Sequence, residues 1–226
     1  MAEPLVVATG LSRSFGPPEA PVQAVRDASV TILPGQLIAL TGPSGSGKST
    51  LLHLLGGLDT PNEGSVTWPA LGERDALRPT RIADIFQGPS LLAPLSVVEN
   101  VRLPLLMAGY DERDATSRSM EALSRFGVDE LATMLPEEIS GGQAQRAAIA
   151  RAVAIRPNLI LADEPTGQLD THTALAVLDA LLAAAAESGA AVVISTHDLR
   201  IADRLETNWA MKNGCLTTAP EPVLTP

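Results

Sequence analysis

The stretch LIALTGPSGSGKSTLLHLL at residues 37–55 runs from a short apolar segment through a glycine-rich turn into a helical pattern. Residues 42–49 fit the phosphate-loop pattern G-x-x-x-x-G-K-S, with a predicted strand before the loop and a helix after it. The backbone N–H groups of such a loop turn inward onto phosphate oxygens, while Lys48 adds a positive charge and Ser49 offers a hydroxyl to Mg²⁺. A plain glycine-rich turn would leave the lysine and the hydroxyls unexplained. The loop glycines are Gly42, Gly45 and Gly47.

A second motif, LILADEP at residues 159–165, is an apolar strand that ends in two adjacent acids. Open α/β sheets bind their ligands at the carboxyl ends of the strands. We therefore predict that Asp163 holds Mg²⁺, directly or through water, and that Glu164 accepts a proton from an attacking water. By themselves the two acids could form an ordinary acidic turn, but a phosphate loop in the same chain favours the catalytic interpretation.

Three single residues carry weaker signals. His197 follows the buried strand AVVIS and is a candidate contact for a γ-phosphate, although a lone histidine is more often structural. Gln87 follows the strand IADIF and is able to orient water or Mg²⁺. Phe15 is predicted to lie in a loop, the glycine- and proline-rich stretch SFGPPEAP, where it either stacks on a purine or covers the core.

Residues 139–146, ISGGQAQR, predict another anion site, because a serine and two glycines precede a long Ala/Arg helix. The N-terminus of a helix presents N–H groups and a positive dipole end to an anion. One chain thus contains two candidate phosphate sites.

Composition restricts the class of protein. The chain has 226 residues, a net charge of −10 and one cysteine. The negative charge disfavours nucleic acid as a partner, and the single cysteine excludes an internal disulfide and fits a reducing compartment. No apolar run reaches the roughly 18–20 residues of a membrane span. The N-terminal residues lack the pattern of a secretion signal, so we expect a cytosolic protein.

Buried apolar strands that alternate with helices predict an α/β fold, with a parallel sheet covered on both faces. Strands are predicted at 5–9, 28–32, 37–41, 65–68, 82–86, 159–162 and 191–195, with two edge strands near 208–218. Helices are predicted at 48–55, 97–108, 112–126, 129–134, 143–156 and 172–187, with a short helix after the strand 191–195.

The strand signal nearly disappears after residue 88 and returns only at residue 159. The segment SVVE at 96–99 is a capping box that begins the first of several helices. We expect residues 1–88 and 141–218 to form the α/β core and residues 89–140 an inserted helical subdomain, with a flexible proline-rich tail at 219–226.

The chain resembles the ATPases of ATP-binding-cassette (ABC) transporters over about residues 4–218, because the motifs occur in that family's order. They are Phe15, GPSGSGKST, Gln87, ISGGQ, LILADEP, LD at 169–170 and His197. The segments 57–66 and 96–106 are similar to the branch that serves macrolide export, lipoprotein release and antimicrobial-peptide resistance. The resemblance implies a P-loop NTPase core with an N-terminal antiparallel β portion, an inserted helical subdomain, and ATP and Mg²⁺ as cofactors.

The resemblance also assigns roles to single residues. Phe15 would stack on adenine, Gln87 would contact Mg²⁺ or water and report to the permease, Glu164 would be the catalytic base, and His197 would sense the γ-phosphate. The metal ligands would be Ser49, Gln87 and Asp163. The triphosphate would bind Gly42, Ser44, Gly45, Gly47, Lys48, Ser49 and Thr50. The signature and cross-dimer contacts would come from Ser140, Gly142, Gln143 and Asp170.

In this family two copies face each other, and each ATP lies between the phosphate loop of one chain and the signature of the other. This arrangement would explain two half-sites in one chain. It implies a second copy of the chain and an integral-membrane permease as partners, no nucleic acid, and a position at the cytoplasmic face of a bacterial inner membrane. The expected function is ATP hydrolysis that drives export or extracytoplasmic mechanical work.

Some positions depart from the family pattern. Ile139 replaces a leucine before SGG, and Gln168 stands where a small residue usually precedes LD. The segments 67–82 and 88–96, near which the permease would dock, are also unusual, so the cargo stays open. An importer ATPase and a nucleotide-gated structural linker with little hydrolysis are the alternatives. A relative that acts in DNA repair or on ribosomes is disfavoured, because the chain has one cassette, no heptads and a negative charge.

Overall fold

The computed structural model describes residues 2–17 and 19–218, and the predicted tail at 219–226 lies outside these residues. The described strands form one sheet. The strands are β1 Val6–Phe15, β2 Val22–Ile32, β3 Leu37–Thr41, β4 Glu63–Thr67, β5 Ile82–Ile85, β6 Leu159–Asp163, β7 Ala191–Thr196, β8 Thr207–Lys212 and β9 Cys215–Thr218. The helices are α1 Lys48–Leu55, α2 Val97–Met107, α3 Glu112–Arg125, α4 Gly141–Ala154, α5 Thr171–Ser188 and α6 Leu199–Ala202.

The sheet has a parallel part and an antiparallel part. Strands β8, β3, β7, β6 and β5 are neighbours in that order, and each pair among them is parallel. Strand β1 pairs antiparallel with both β2 and β4. The predicted α/β class, the parallel sheet and the antiparallel N-terminal portion are therefore confirmed.

The prediction of two edge strands near residues 208–218 is wrong. Strand β8 pairs with β3 and β9, and β9 pairs with β2, so that both lie inside the sheet and join its two parts. The edges are β4 and β5. The alternation of side chains along a strand shows which of its faces is covered, but it does not show which strands lie beside it.

Strands β1 and β2 are longer than the predicted 5–9 and 28–32. Register shifts follow Ala8, and Gly10 and Asp27 have φ values of 61° and 46°. Such bulges change the phase of the buried and exposed positions, so only one end of each strand has a regular pattern in the sequence. As a consequence, Phe15 is the last residue of β1 and does not lie in the loop that the sequence predicted.

The helical region between β5 and β6 contains no strand, and the structure describes all of it. Helix α2 begins as predicted, because the Glu99 carboxylate accepts the Ser96 N–H at 2.8 Å. The helix predicted at 129–134 is wrong, since only a 3₁₀ turn, Asp129–Leu131, forms there. Pro136 has no N–H to donate to the carbonyl oxygen of Ala132, which accepts the Val98 N–H instead, at 2.9 Å.

Helices cover both faces of the parallel strands. In β6, Leu159 and Leu161 pack into a cluster with α1, while Ile160 and Ala162 pack into a second cluster with α2, α4 and α5. Burial on both faces is the reason that this strand is a continuous apolar run in the sequence.

No helix in the described ranges has both the length and the apolar character that crossing a bilayer requires.

Candidate functional site

The phosphate loop occupies residues 42–47, between the end of β3 and the start of α1. Two of its positions require glycine. A Cβ on Gly42, whose φ is 152°, would lie 2.1 Å from the carbonyl oxygen of Met211, and a Cβ on Gly47, whose φ is 105°, would lie 1.9 Å from that of Ala24. The loop therefore passes directly against the backbones of β2 and β8, and a side chain at either glycine would displace it.

Lys48 is nearly buried at the first position of α1. Its Nζ donates to the carbonyl oxygens of Gly42 at 2.9 Å and Pro43 at 3.1 Å. The same atom lies 3.9 Å from Oε1 of Glu164. An ammonium group has three N–H donors, so the loop carbonyls use two and one is left for an anion.

Asp163 and Glu164 lie at the carboxyl end of β6. Ser195 of β7, which was not among the predicted site residues, forms hydrogen bonds with both. Ser195 is fully buried and is the register partner of Asp163. Its hydroxyl donates to Oδ1 of Asp163 and accepts the Glu164 N–H at 3.0 Å. A serine inside the buried apolar run AVVIS needs hydrogen-bond partners, and its position in that run is the feature of the sequence that could have indicated a role in the site.

The Glu164 carboxylate lies between the ammonium group of Lys48 and the imidazole ring of His197. Its backbone has a φ of 44°, and its N–H also donates to the carbonyl oxygen of Ser195 at 3.1 Å. One carboxylate oxygen lies 3.2 Å from Nδ1 of His197, whose side chain is largely exposed, and the other faces Lys48. The carboxylate thus projects between the phosphate loop and the loop after β7.

An open cleft of about 210 Å³ brings most of the predicted residues together. Its lining consists of Ala24, Ser44, Gly45, Gly47, Lys48, Ser49, Thr50, Gln87, Asp163 and Glu164. All the predicted metal ligands are among them, whereas Ala24 was not predicted to be a site residue. His197 reaches the cleft through its contact with Glu164.

Phe15 does not line the cleft but lies beside it. It pairs with Val22, which is two residues before the cleft residue Ala24 on β2. Its side chain is 44% exposed, which is unusual for a phenylalanine at the end of a strand. A flat apolar surface is therefore available next to the phosphate loop.

The signature residues do not line this cleft either. Ser140 caps α4, where its N–H donates to Oε1 of Gln143 at 2.8 Å and its Oγ accepts the Gln143 N–H at 3.3 Å. Because of this capping box, α4 begins at Gly141, two residues before the predicted start. The helix packs against α2, α3, α5 and β5, whereas α1 packs against β1, β2, β6 and β7. The two helices belong to the clusters on opposite faces of β6.

Asp170 lies close to the signature. Its Oδ1 accepts the N–H groups of His172 and Thr173 at 3.1 Å each, and hydrogen bonds from the Thr173 side chain and N–H keep the pKa of Asp170 below its usual value. A Cβ on Gly142 would lie 3.1 Å from the side chain of Leu169, which precedes Asp170. The signature and Asp170 therefore form one group, separate from the cleft residues.

Comparisons with known proteins show the family of the chain. The family described as ABC transporter matches residues 25–167. The lipoprotein-releasing system ATP-binding protein LolD 1 of Rhodopirellula baltica is 41% identical over 219 residues, which cover 94% of this chain and 96% of that protein. The protein of the same name, LolD, from Gluconobacter oxydans is 42% identical over 214 residues, covering 92% of this chain and 93% of that one.

A solved structure extends the likeness to three dimensions. It is the dimeric, post-hydrolysis state of the ATP-binding cassette MJ0796 bound to ADP and Pi, with a TM-score of 0.87 at 33% identity over 95% of this chain and 97% of that one. A phosphate loop and paired acids in one cleft, a family match over more than half of the chain, and relatives along nearly its whole length lead to one conclusion. The chain belongs to the ABC transporter family, as an ATPase that binds ATP and couples its hydrolysis to transport.

Proposed function

We propose that two copies of this chain close face to face on two ATP molecules and thereby drive a separate integral-membrane permease. The observation that carries the proposal is the division of the motifs within one chain. The phosphate loop and the acids line a cleft, whereas the exposed residues Ser140 and Asp170 and the half-buried Gln143 form a group outside it. A second copy would place its group of the same residues over the open side of the cleft, as the dimeric state of MJ0796 suggests by analogy.

In each shared site, one chain binds most of the nucleotide. The N–H groups of the phosphate loop and the third donor of Lys48 bind the β- and γ-phosphates, and Phe15 stacks on adenine. The loop residues with this role are Gly42, Ser44, Gly45, Gly47, Lys48, Ser49 and Thr50.

Mg²⁺ suits the donors in this cleft. It prefers oxygen ligands and is often held by one or two carboxylates together with substrate phosphates. Ser49, Gln87 and Asp163 would hold it, because they offer a hydroxyl, an amide and a carboxylate to one cleft. Ser195 occupies only one carboxylate oxygen of Asp163, which leaves the other for a ligand. When bound, the ion neutralises charge on the phosphate oxygens.

Glu164 acts as the general base. Its carboxylate accepts a proton from the water that attacks the γ-phosphate, while His197 contacts both this carboxylate and the phosphate. The 3.2 Å contact between Oε2 of Glu164 and Nδ1 of His197 supports this assignment, because it holds the carboxylate at the mouth of the cleft.

The group formed by Ser140, Gln143 and Asp170 is still able to form hydrogen bonds with a neighbouring chain. In its capping box the Ser140 hydroxyl only accepts, so that its O–H remains able to donate to a γ-phosphate oxygen of the other copy. Asp170 is exposed while it caps α5 through Oδ1, so its carboxylate is accessible for a cross-dimer contact. Gly142 has no side chain, so the backbones of the two facing chains can approach closely there.

We also propose that residues 89–140 act as a helical subdomain that carries the signature, attached to a core of residues 1–88 and 141–218.

The proposed docking site for the permease is an apolar groove beside the cleft, between α2 and β5. An ion pair of Arg78 with Asp84, 2.8 Å between Nε and Oδ2, lies at one side, and burial raises the pKa of Asp84. Phe86, which precedes the cleft residue Gln87, links the two sites. The residues that line the groove are Leu58, Arg78, Pro79, Ile82, Ala83, Asp84, Phe86, Leu103, Pro104, Met107, Arg151, Ala152 and Ile155.

A permease segment with an apolar face fits this groove, and binding there would hold the chain at the cytoplasmic face of a bacterial inner membrane. The relatives named for lipoprotein release suggest cargo or mechanical work outside the cytoplasm. They favour this function over the importer and over a linker with little hydrolysis.

Substitution of Met107 by glutamate tests the groove. Met107 is 68% exposed, and a carboxylate there should reduce recovery of the protein with inner-membrane vesicles from its own host about tenfold, because apolar burial of that size is lost. Sedimentation with the vesicles measures the recovery, and ATP binding by the free protein should not change. Leu199→Glu is the matched control, since Leu199 is 69% exposed and lies outside the groove. Equal recovery of both variants would contradict the assignment of the groove.

A further inference from the structure

Arg13 covers one face of the Phe15 ring. Both residues lie on β1, two positions apart, and the guanidinium carbon of Arg13 is 4.7 Å from the ring centroid. A guanidinium group over an aromatic face is held by the ring quadrupole. Phe15 therefore has one covered face, although the residue as a whole is 44% exposed at the end of the strand.

Asp59 fixes the guanidinium group in this position. Its two carboxylate oxygens accept Nε and Nη2 of Arg13 at 2.8 and 2.9 Å, which is a bidentate geometry. Asp59 is in turn constrained, because its Oδ1 accepts the Thr60 N–H at 2.7 Å and its carbonyl oxygen accepts Arg74 at 3.2 Å. The planar group can thus neither rotate nor leave the ring without breaking paired hydrogen bonds.

The segment 56–62, which contains Asp59, also forms a hydrogen bond with the backbone of β1. The Ser14 N–H, between Arg13 and Phe15, donates to Oδ1 of Asn62 at 2.7 Å. The segment 56–62 begins where α1 ends, and α1 is the helix that starts at the phosphate loop. A continuous set of contacts therefore connects the phosphate loop helix to the ring of Phe15.

We propose that Arg13, held by Asp59, is a positioning residue for the nucleotide base. It occupies one face of Phe15, so that a purine stacks only on the opposite face, on a ring whose orientation is set before binding. The inference rests on the proposed role of Phe15. Arg13 contacts the Phe15 ring and does not line the cleft of the phosphate loop, so its effect on binding should depend on the base and not on the phosphates.

The test compares two ligands of similar phosphate content, ATP and inorganic tripolyphosphate, by calorimetry in the presence of Mg²⁺. Arg13→Met should weaken ATP binding about two- to fivefold, because the preorganisation of the ring that is lost is limited by the energy of the exposed cation–π contact that provides it, and should leave tripolyphosphate binding unchanged. Arg13→Lys, which keeps a cation, should restore part of the ATP affinity. Arg26→Met, which removes an exposed arginine from β2, is the matched control and should change neither affinity.

A double substitution separates this inference from the role of Phe15. Phe15→Ala should weaken ATP binding but not tripolyphosphate binding, and adding Arg13→Met to it should cause no further loss. If Phe15→Ala affects both ligands equally, the proposed base contact of Phe15 is wrong. If Phe15→Ala is selective for ATP while Arg13→Met is not, the positioning role of Arg13 is overturned and the base contact stands. Asp59→Asn, which loosens the same guanidinium group, should repeat the selective loss if Arg13→Met folds poorly.

Discussion

Replacing Lys48 with alanine is expected to weaken ATP binding at least about a hundredfold. Hydrogen bonds to charged groups each contribute about 1.5–3 kcal/mol, and the ammonium group is the one charged donor of the phosphate loop. Its two bonds to Gly42 and Pro43 place it over the loop before any ligand arrives. Calorimetry or a fluorescent ATP analogue measures the loss.

The chain provides a matched control for this experiment, because its other lysine is Lys212 on β8. Lys212→Ala should bind ATP with unchanged affinity. Lys48→Met retains the aliphatic stem and should behave like Lys48→Ala, which excludes a packing defect as the cause. An unchanged affinity in both Lys48 variants, with normal thermal unfolding, would remove the basis for the phosphate-loop assignment.

Glu164→Gln is expected to retain ATP binding and to lose about 10²–10⁴-fold in turnover, the usual contribution of a general base. Glutamine preserves the size of the side chain and its contact with His197, but it cannot accept a proton from water. Without hydrolysis, the ATP-bound dimer should accumulate and elute earlier in size-exclusion chromatography.

Glu206→Gln, at an exposed carboxylate just before β8, is the corresponding control and should keep normal turnover. Single-turnover measurements with excess protein distinguish slow chemistry from slow product release. Turnover of Glu164→Gln close to that of the unchanged protein would mean that the acids after β6 form an ordinary turn without a catalytic role.

The parts of the site that depend on local spacing could be predicted from the sequence. The phosphate loop needs its glycines, lysine and hydroxyls within a few residues of one another, so its pattern in the sequence already contains its chemistry. The structure places those residues together with Gln87 and the acids in one cleft. The roles of these residues stay predictions until the variants are measured.

Contacts between distant segments could not be predicted. Ser195 meets Asp163 because β6 and β7 pair in one particular register, and no local pattern specifies that register. Arg13 meets Asp59 across 46 positions, through the fold of β1 onto the end of α1. The wrong edge strands have the same origin, since pairing of β8 and β9 with β3 and β2 is decided by the whole sheet.

The central claim is that each ATP site is shared between two chains, and heterodimers with separated lesions test it most directly. Lys48→Ala damages the phosphate loop, and Ser140→Arg places a bulky cation at the start of the signature helix. All chains also carry Glu164→Gln so that bound ATP persists, and two affinity tags isolate heterodimers. If the sites are shared, one lesion on each chain puts both defects in one site and leaves the other intact.

The measurement is the amount of ATP occluded per isolated heterodimer. Heterodimers with one lesion on each chain should occlude ATP, whereas those with both lesions on one chain, paired with a chain that has neither, should not, because each of their sites is damaged once. The reverse result, occlusion only when both lesions are on the same chain, would mean that each signature serves its own phosphate loop and would contradict the shared site.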